Sequence, residues 1–455
     1  MKEIEKYLIE NYNKAKINSK DISKGDVFLA LSGKKTHGND FINEAFDNGA
    51  KYVITDMFSD VISSNQNIVV VENIHDYLLD IAKIKRKLFK GKIIGVTGSA
   101  GKTSVKENLK YFLSHLSKVS ASIKSYNNLL GIVVSLINLD LLSDYLIVEM
   151  GTNNFSEIKE LTSIVMPSQI IITNILPTHL EKLINTRNIA IEKADIYNPQ
   201  YNSKAELVIL PNSNIDEQLL VKIAKKNKIK NIQTFGDNSK LSYNIEKIHK
   251  IDEIYVKLYL SYEGKIIYLI INNNQLYRLN NILICFIIFS YNKLDINLFL
   301  SLAKNIPLLS GRGKHNEIFF YNKKINFIDE SYNASPETMK NCINYFIDLK
   351  IKKNQKKILI LGDMKELGKQ ELLFHIDLLD YISQKKLKNV IICGELMQLA
   401  LNKLDNNKIL FMQNINLISE FLKKILNDND IILIKGSNSS ITNKLAEKFL
   451  QKGDF

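Results

Sequence analysis

The sequence is poor in cysteine and in long apolar runs. Its three cysteines, Cys285, Cys342 and Cys393, have neither paired nor metal-ligand spacing, which argues against a disulfide framework and a zinc site. The longest apolar run, residues 282–291, is about half the length of a membrane span, so we expect no membrane insertion. Residues 1–16 are charged throughout and lack the apolar segment of a secretory signal. These absences favour a cytoplasmic protein.

Arginine is also scarce, since only four arginines stand among the 61 basic residues. The formal net charge of +13 is therefore mainly a lysine charge, and it is spread along the whole sequence. A nucleic-acid binder needs a contiguous basic face, usually with interleaved aromatic residues, and the sequence has no such stripe. We attribute the lysine excess to a compositional bias and expect no nucleic-acid partner. Small anionic substrates are compatible with this charge.

The most informative stretch is KIIGVTGSAGKT, residues 92–103, which reads as a buried strand that runs into a glycine-rich loop and a helix. Gly98 and Gly101 allow backbone N–H groups to turn toward a phosphate, while Lys102 adds a positive charge. The Thr103 hydroxyl can bind magnesium, and the helix directs its N-terminus at the same anion. One glycine of the common phosphate-loop pattern is missing, so an ordinary strand-to-helix turn is the alternative.

Polar residues follow two further predicted strands. Residues 145–148 form an apolar strand that ends on Glu149, and residues 170–173 form another that leads to His179. Ligands of open α/β sheets bind at the carboxyl ends of the strands, so we expect both side chains near Thr103. Hydroxyl, carboxylate and imidazole groups suit a magnesium site that serves ATP. A lone histidine is more often structural, and that alternative stays open.

The length of 455 residues suggests about two to four domains. Residues 1–90 predict a small α/β unit. Residues 91–308 predict a central parallel sheet around the phosphate loop, with an antiparallel hairpin at 253–271 on its edge. Residues 309–455 alternate strands and helices, which predicts a doubly wound, Rossmann-like sheet. The predicted fold is therefore an α/β protein of three domains.

Titratable residues also follow strands of the third unit. Residues 325–328 predict a strand that ends on Asp329, and Asp363, Glu366 and His375 follow a strand that ends in LGD. A solvated loop and a binding site are equally compatible with this second group.

Taken in order, the motifs resemble those of the ATP-dependent Mur ligases, which extend the peptide of the cell-wall precursor. TGSAGKTSVKE, EMGTNN, ITNILPTHLE and IAIEKADIY resemble the central blocks of that family, and KGDVFLALSGKKTHGNDFINEAFDNGA resembles its N-terminal domain. IDESYNASP, LGDMKELG and LIKGSNSS resemble the C-terminal blocks of the members that add D-alanyl-D-alanine. The resemblance covers essentially the whole chain.

The resemblance implies a ligase that joins D-alanyl-D-alanine to UDP-N-acetylmuramoyl-tripeptide through an acyl phosphate, in peptidoglycan precursor synthesis. It implies ATP and Mg²⁺ as cofactors. Residues 1–90 would bind the UDP-muramoyl substrate, residues 91–308 would bind ATP, and residues 309–455 would form the ligase domain. We expect a cytoplasmic monomer.

The resemblance also implies roles for individual residues. The residues expected to act in catalysis are Lys102, Glu149, His179, Lys193 and Arg312. The residues expected to bind ATP are Gly98, Ser99, Ala100, Gly101, Lys102, Thr103, Ser104, Asn280, Arg312, Asp329 and Asn333. The expected magnesium ligands are Thr103, Glu149, His179 and Lys193, the last as a carbamate. The residues expected to bind the other substrates are Ser19, Asn127, Asn128, Lys435 and Ser437.

Some positions depart from the family pattern. Asn154 and Ser156 replace a histidine and a glycine of one central block, and only Asn280 matches the adenine-side block. The nearest alternative is the Mur ligase that adds the third amino acid, although its usual Asp-Asn-Pro-Arg is absent here. A catalytically lapsed nucleotide-binding protein is another alternative. The sequence leaves open whether the third peptide residue is diaminopimelate or lysine, and it identifies no base for the incoming amine.

Overall fold

The computed structural model describes residues 2–33, 36–57, 65–236, 243–262, 264–404 and 408–451. Within this part of the chain, the strands form three separate sheets of four, nine and six strands. Each sheet carries its own helices, and we call the three groups the N-terminal, central and C-terminal units. The predicted α/β class is confirmed.

The N-terminal unit is a small parallel sheet with the strand order β1-β2-β3-β4. Its strands are β1 (Ala15–Lys16), β2 (Val27–Ala30), β3 (Tyr52–Thr55) and β4 (Ile68–Val70). Its helices are α1 (Glu3–Glu10), α2 (Ile42–Asp47) and α3 (Ile74–Leu88). Alternate residues of β2 enter different apolar clusters: Val27 and Leu29 join one, and Phe28 and Ala30 join the other. Both faces of the sheet are therefore covered, as the period-two alternation of a strand requires.

The central unit is built on a sheet of nine strands with the order β13-β12-β11-β10-β9-β8-β5-β7-β6. Its strands are β5 (Lys92–Thr97), β6 (Val119–Ala121), β7 (Tyr145–Glu149), β8 (Gln169–Ile172), β9 (Leu207–Pro211), β10 (Asn231–Phe235), β11 (Tyr243–Lys250), β12 (Tyr255–Tyr262) and β13 (Lys265–Asn272). Its helices are α4 (Lys102–Leu113), α5 (Leu129–Ile137), α6 (Glu157–Val165), α7 (Leu180–Leu183), α8 (Thr186–Ala194), α9 (Ile215–Lys226), α10 (Leu279–Tyr291) and α11 (Ile296–Leu302). Strands β5 to β10 are parallel, and β12 and β13 form the predicted antiparallel hairpin.

The C-terminal unit has the strand order β14-β15-β19-β16-β17-β18. Its strands are β14 (Lys314–Phe320), β15 (Lys323–Glu330), β16 (Lys357–Leu361), β17 (Asn389–Ile392), β18 (Ile409–Phe411) and β19 (Ile431–Lys435). Its helices are α12 (Pro336–Asp348), α13 (Glu371–Ser383), α14 (Glu395–Leu401), α15 (Ile415–Ile425) and α16 (Ile441–Leu450). All neighbours are parallel except β14, which pairs antiparallel with β15 at the edge. Apolar clusters cover both faces of this sheet, as a doubly wound fold requires.

Helix α3 joins the N-terminal unit to the central unit. Its Lys85 is fully buried and donates hydrogen bonds to the carbonyl oxygens of Leu8 (2.8 Å), Asn11 (2.8 Å) and Ile137 (2.6 Å). These carbonyls lie at the C-terminal ends of α1 and α5, where no N–H group of the same helix is available to donate a hydrogen bond to them. One lysine therefore satisfies the ends of two helices that belong to different units.

Within the described residues, no helix combines the length and the apolar character that a membrane crossing needs.

Candidate functional site

The glycine-rich loop connects β5 to α4 and is fastened to the residues that follow β8. Ala100 donates its backbone N–H to Asn174 Oδ1 (2.8 Å), and Ser99 donates its N–H to the Asn174 carbonyl (3.1 Å). Gly98 has φ +141°, and a Cβ there would lie 1.9 Å from Thr173 Oγ1. Only glycine fits this position, so the loop takes the sharp turn that the sequence predicts.

The Thr103 hydroxyl and the Glu149 carboxylate meet at the beginning of α4. Thr103 Oγ1 donates to Glu149 Oε2 (2.7 Å), and Asn127 Nδ2 donates to Glu149 Oε1 (2.9 Å). Glu149 ends β7, the neighbour of β5, which explains why the two groups reach each other. Arg312 of the C-terminal unit donates from Nη2 to Thr103 Oγ1 (2.9 Å). The site is therefore shared between two units, and its paired oxygens are of the kind that magnesium prefers.

Lys102 lies near Glu149, and Lys193 is near enough to Lys102 for their charges to interact. Lys102 donates from Nζ to the Gly98 carbonyl (2.7 Å), so it folds back over its own loop. Lys193 lies in α8 and is buried, and the structure records no hydrogen bond to its side chain within the described residues. Burial and, secondarily, the charge of Lys102 hold the pKa of Lys193 well below its usual value. Both effects disfavour the charged form of this lysine relative to that of an exposed lysine.

His179 contacts a residue of the C-terminal unit. Its Nδ1 lies 2.5 Å from Oε2 of Glu366, a residue of the C-terminal unit. Among the described residues, no group of three or more His, Cys, Asp or Glu side chains is arranged to hold a metal ion. Thr103 and Glu149 therefore fit a magnesium site, whereas His179 lies beside a carboxylate of another unit.

A cavity of about 850 Å³ opens between the central and C-terminal units. The predicted ATP and substrate residues on its wall are Ala100, Gly101, Ser104, Asn280, Arg312, Asn333 and Lys435. Asn281 also lines it, and a Cβ at Gly101 would lie 3.1 Å from Asn281 Oδ1. Asn281, directly after the residue that the motif indicates, therefore lies beside the loop, and both asparagines line the cavity. Helix phase could have revealed this, because successive residues of a helix point in different directions.

A buried charged group on the cavity wall has no counterpart in the sequence interpretation. Glu330 at the end of β15 accepts hydrogen bonds from Arg278, from Tyr277 Oη (2.8 Å) and from Lys435 Nζ (3.2 Å). Burial alone would raise the pKa of Glu330, but the charges of Lys435 and Arg278 lower it. Arg278 belongs to the central unit, and Glu330 and Lys435 to the C-terminal one. The position of Glu330 after Asp329 at a strand end was the available signal.

Asp329 does not line the cavity, although the motif places it at ATP. Its Oδ2 accepts the Gly311 N–H (2.6 Å), and its Oδ1 accepts the Ser331 hydroxyl (2.7 Å). Gly311 has φ +70° and opens the turn that carries Arg312. Asp329 therefore supports the arginine from behind, while Asn333 reaches the cavity wall.

The predicted substrate residues lie in several places. Ser19 is buried in the N-terminal unit and donates its hydroxyl to Glu44 Oε2 (2.6 Å). Asn127 contacts Glu149, as described above. Asn128 caps α5 and lines a second cavity of about 420 Å³ between α3, α5 and α6. Ser437 accepts the Lys365 N–H (3.0 Å) and does not line the larger cavity.

Three titratable residues follow the strand that ends in LGD. Two of them are structural, and the third contacts another unit. His375 is buried, and its Nε2 accepts the Met364 N–H (3.0 Å). Asp363 Oδ1 accepts the N–H of Met397 (3.0 Å) at the beginning of α14. Glu366 alone reaches another unit, through His179.

The fold and the site define an α/β phosphate-loop protein whose site is shared between two sheet-based units. Three domain models match the chain: the Mur ligase family catalytic domain over residues 11–87, the Mur ligase middle domain over 96–289, and the Mur ligase glutamate ligase domain over 317–438. A relative from Rickettsia prowazekii, named UDP-N-acetylmuramoyl-tripeptide--D-alanyl-D-alanine ligase, is 32% identical, and the alignment covers 96% of this chain and 95% of the relative. The chain belongs to the Mur ligase family.

Further relatives and solved structures agree with this assignment. A Bacillus subtilis protein of the same name is 24% identical, over 95% of this chain and 92% of the relative. The crystal structure of MurF from Acinetobacter baumannii is similar with a TM-score of 0.79 and 21% identity, covering 98% of each chain. MurF from Thermotoga maritima in complex with ADP gives a TM-score of 0.77 at 25% identity, covering 99% of this chain and 98% of that one.

Proposed function

We propose that the chain is an ATP-dependent ligase that joins D-alanyl-D-alanine to UDP-N-acetylmuramoyl-tripeptide in the cytoplasm. The observation that carries this proposal is the Rickettsia relative of that name, which aligns over 96% of the chain. The reaction requires a nucleotide site between units that can close on two substrates. We propose that the enzyme acts as a monomer and without a nucleic-acid partner.

ATP would occupy the cavity between the central and C-terminal units. The backbone of residues 98–101 and the N-terminus of α4 would face its phosphates. Lys102 would exchange the Gly98 carbonyl for a phosphate oxygen, and Arg312 would approach from the opposite unit. Asn280, Asn281 and Asn333 line the rest of the cavity and supply polar groups for the nucleoside.

Magnesium would be held by Thr103 and Glu149, with His179 and a carbamylated Lys193 as further ligands. The ion would neutralise charge that develops on the transferring phosphoryl group. The oxygen pair supports this proposal, since a hydroxyl and a carboxylate only 2.7 Å apart can share one cation.

Lys193 would carry the carbamate that the resemblance implies. The neutral amine attacks carbon dioxide, a C–N bond forms as one C=O π bond opens, and one proton is released to solvent, so that a neutral amine becomes an anionic oxygen ligand. The depressed pKa of this buried lysine supports the step, because only the neutral amine is a nucleophile.

The tripeptide carboxylate would attack the γ-phosphate in line, and the amine of the dipeptide would then attack the acyl phosphate. Holding both reactants between units makes the second attack effectively unimolecular, an advantage of up to about 7–11 kcal/mol. We propose residues 1–90, 91–308 and 309–455 as the UDP-substrate, ATP and ligase domains. Asn127, which contacts Glu149, and Asn128, which lines the second cavity, would face the tripeptide, and Ser19, Lys435 and Ser437 are the remaining proposed substrate contacts.

Phosphate release tests this function. The protein is incubated with ATP, magnesium, each UDP-muramoyl peptide and each candidate amine in turn. We expect release only with UDP-muramoyl-tripeptide and D-alanyl-D-alanine together. Efficient use of the dipeptide precursor with a free diamino acid would instead identify the ligase that adds the third amino acid, and no turnover with any pair would indicate a lapsed enzyme.

A further inference from the structure

The loop of residues 363–370 in the C-terminal unit lies against helix α7 of the central unit. Glu366 contacts this helix twice: its Oε2 lies 2.5 Å from His179 Nδ1, and its carbonyl accepts the Leu180 N–H (3.0 Å). Two residues later, the loop and the helix approach so closely that a Cβ at Gly368 would lie 3.0 Å from the Glu181 backbone nitrogen. The loop and the helix are therefore in contact through both side chains and backbone.

The backbone at both ends of this contact is unusual. His179 has φ +53° and Glu366 has φ +65°, so both residues adopt the left-handed conformation. Residues with a Cβ adopt it at an energetic cost, and such conformations persist where the surroundings hold them. Here the Leu180 N–H and the contact between the His179 and Glu366 side chains hold them.

Two other polar contacts between these units lie at the nucleotide cavity. Arg312 reaches Thr103, and Glu330 reaches Arg278 on the cavity wall. Glu366 supplies a third contact, on the histidine that the proposed function assigns to magnesium. Three separate stretches of the C-terminal unit thus each contribute one side chain to a contact with the central unit.

We propose that Glu366 is a positioning residue: a carboxylate of the C-terminal unit that holds the imidazole of His179 in its working orientation, so that docking of this unit completes the site. The inference rests on the proposed role of His179. With Nδ1 facing Glu366, the ring directs Nε2 away from that carboxylate and leaves it available as a ligand. Carboxylates that contact ligand histidines in this way fix ring orientation and raise ligand basicity.

The exposure of the two side chains allows a positioning role of Glu366 to be distinguished from a role in stability. The His179 side chain is 22% exposed and that of Glu366 is 56% exposed, so solvent screens their attraction. Loss of the carboxylate should therefore leave the folded protein nearly as stable as before. Any large loss of function must then come from the orientation of the ring.

The test compares Glu366→Ala and Glu366→Gln with a control pair between the same two units. Glu253 Oε1 lies 2.7 Å from Lys350 Nζ, and both side chains are mostly exposed and lie outside the site. We expect Glu366→Ala to lower kcat by about 10–100-fold, with KM for ATP and the thermal midpoint nearly unchanged. Glu366→Gln, which keeps an acceptor oxygen, should retain part of the activity, and Glu253→Gln should match the parent.

A binding measurement supplies a readout that does not need turnover. Manganese(II) is titrated into each protein with ADP present, and binding is followed by electron paramagnetic resonance. We expect Glu366→Ala to bind manganese at least about ten-fold more weakly than the parent and Glu253→Gln. Parental kcat, or tighter manganese binding, in Glu366→Ala would overturn the proposal, the latter because the carboxylate would then compete with the metal. A parent without turnover would overturn the proposed function instead, and the manganese titration would still decide the role of Glu366.

Discussion

At the scale of single residues, the buried Lys193 gives the sharpest expectation. We expect Lys193→Ala to be nearly inactive and to be partly rescued by acetate or another short carboxylate, which can replace the carbamate oxygens. Lys193→Arg should stay inactive, because arginine keeps its charge and cannot form a carbamate. Phosphate release with and without added carboxylate measures both effects. An active arginine variant would show that a cation suffices here.

A second residue-scale expectation concerns Lys102. Within the described residues, the hydrogen bonds of its ammonium go to the loop carbonyls of Gly98 and Ser99, so its loss removes charge at the phosphates while the apolar packing of α4 remains. We expect Lys102→Ala to lower kcat by at least about a hundred-fold and to keep the circular dichroism spectrum of the parent. Near-parental turnover would mean that the loop does not serve the transferring phosphate.

The residues that the sequence interpretation located and those that it missed differ in kind. Thr103 and Glu149 were predictable because each follows a strand, and neighbouring strand ends meet at one edge. The contacts of Glu330 and Glu366 were not predictable, although Glu366 belongs to a titratable group that the sequence indicates, because their partners Arg278 and His179 belong to another unit, and no local pattern encodes how two units dock. Asn281 was not singled out, although it lies beside Asn280 in the same helix and lines the same cavity.

At the scale of elements, the turn that carries Arg312 depends on Asp329 behind it. Hydrogen bonds to charged groups contribute about 1.5–3 kcal/mol each, and Asp329 accepts such bonds from Gly311 and Ser331. We expect Asp329→Ala to lower the thermal midpoint and to reduce turnover as Arg312→Ala does.

The matched control for this turn is Asp428→Ala. Asp428 is exposed and accepts the Lys324 N–H (2.8 Å) at the far end of β15. Asp428→Ala should lower the thermal midpoint less than Asp329→Ala does, and it should leave turnover unchanged. Equal turnover in the parent and Asp329→Ala would show that the turn holds its shape without the carboxylate.

The elements themselves were largely predictable. The predicted strands at 145–148 and 170–173 match β7 and β8, and the alternating pattern at 253–271 matches β12 and β13. The antiparallel edge strand β14 was not predicted, because its alternation of polar and apolar residues does not specify the direction in which it pairs.

At the scale of the whole molecule, Lys85 tests how the N-terminal unit is attached. Lys85→Met would leave three carbonyls at two helix ends without their donor, at about 1–3 kcal/mol for each. We expect a clear loss of stability in urea unfolding and faster proteolysis between the N-terminal and central units.

Lys83→Met on the same helix is the control, because that lysine is mostly exposed and its ion pair within the described part of the chain is with Asp80 at 3.7 Å. Its effect should stay within about 0.5 kcal/mol. Equal stability of the two variants would show that the buried ammonium does not hold the units together.

The cavity between the central and C-terminal units has a consequence for inhibitor discovery. Gly101 and Asn281 form one wall of this cavity, and Arg312 and Lys435 form another. A compound that fills the cavity therefore contacts the central and C-terminal units at once. The affinity of such a compound depends on how the two units are arranged, and its binding stabilises that arrangement by mass action. A screen against the intact chain would find compounds that bind both units at once. A screen against the central unit alone would offer only half of their binding surface.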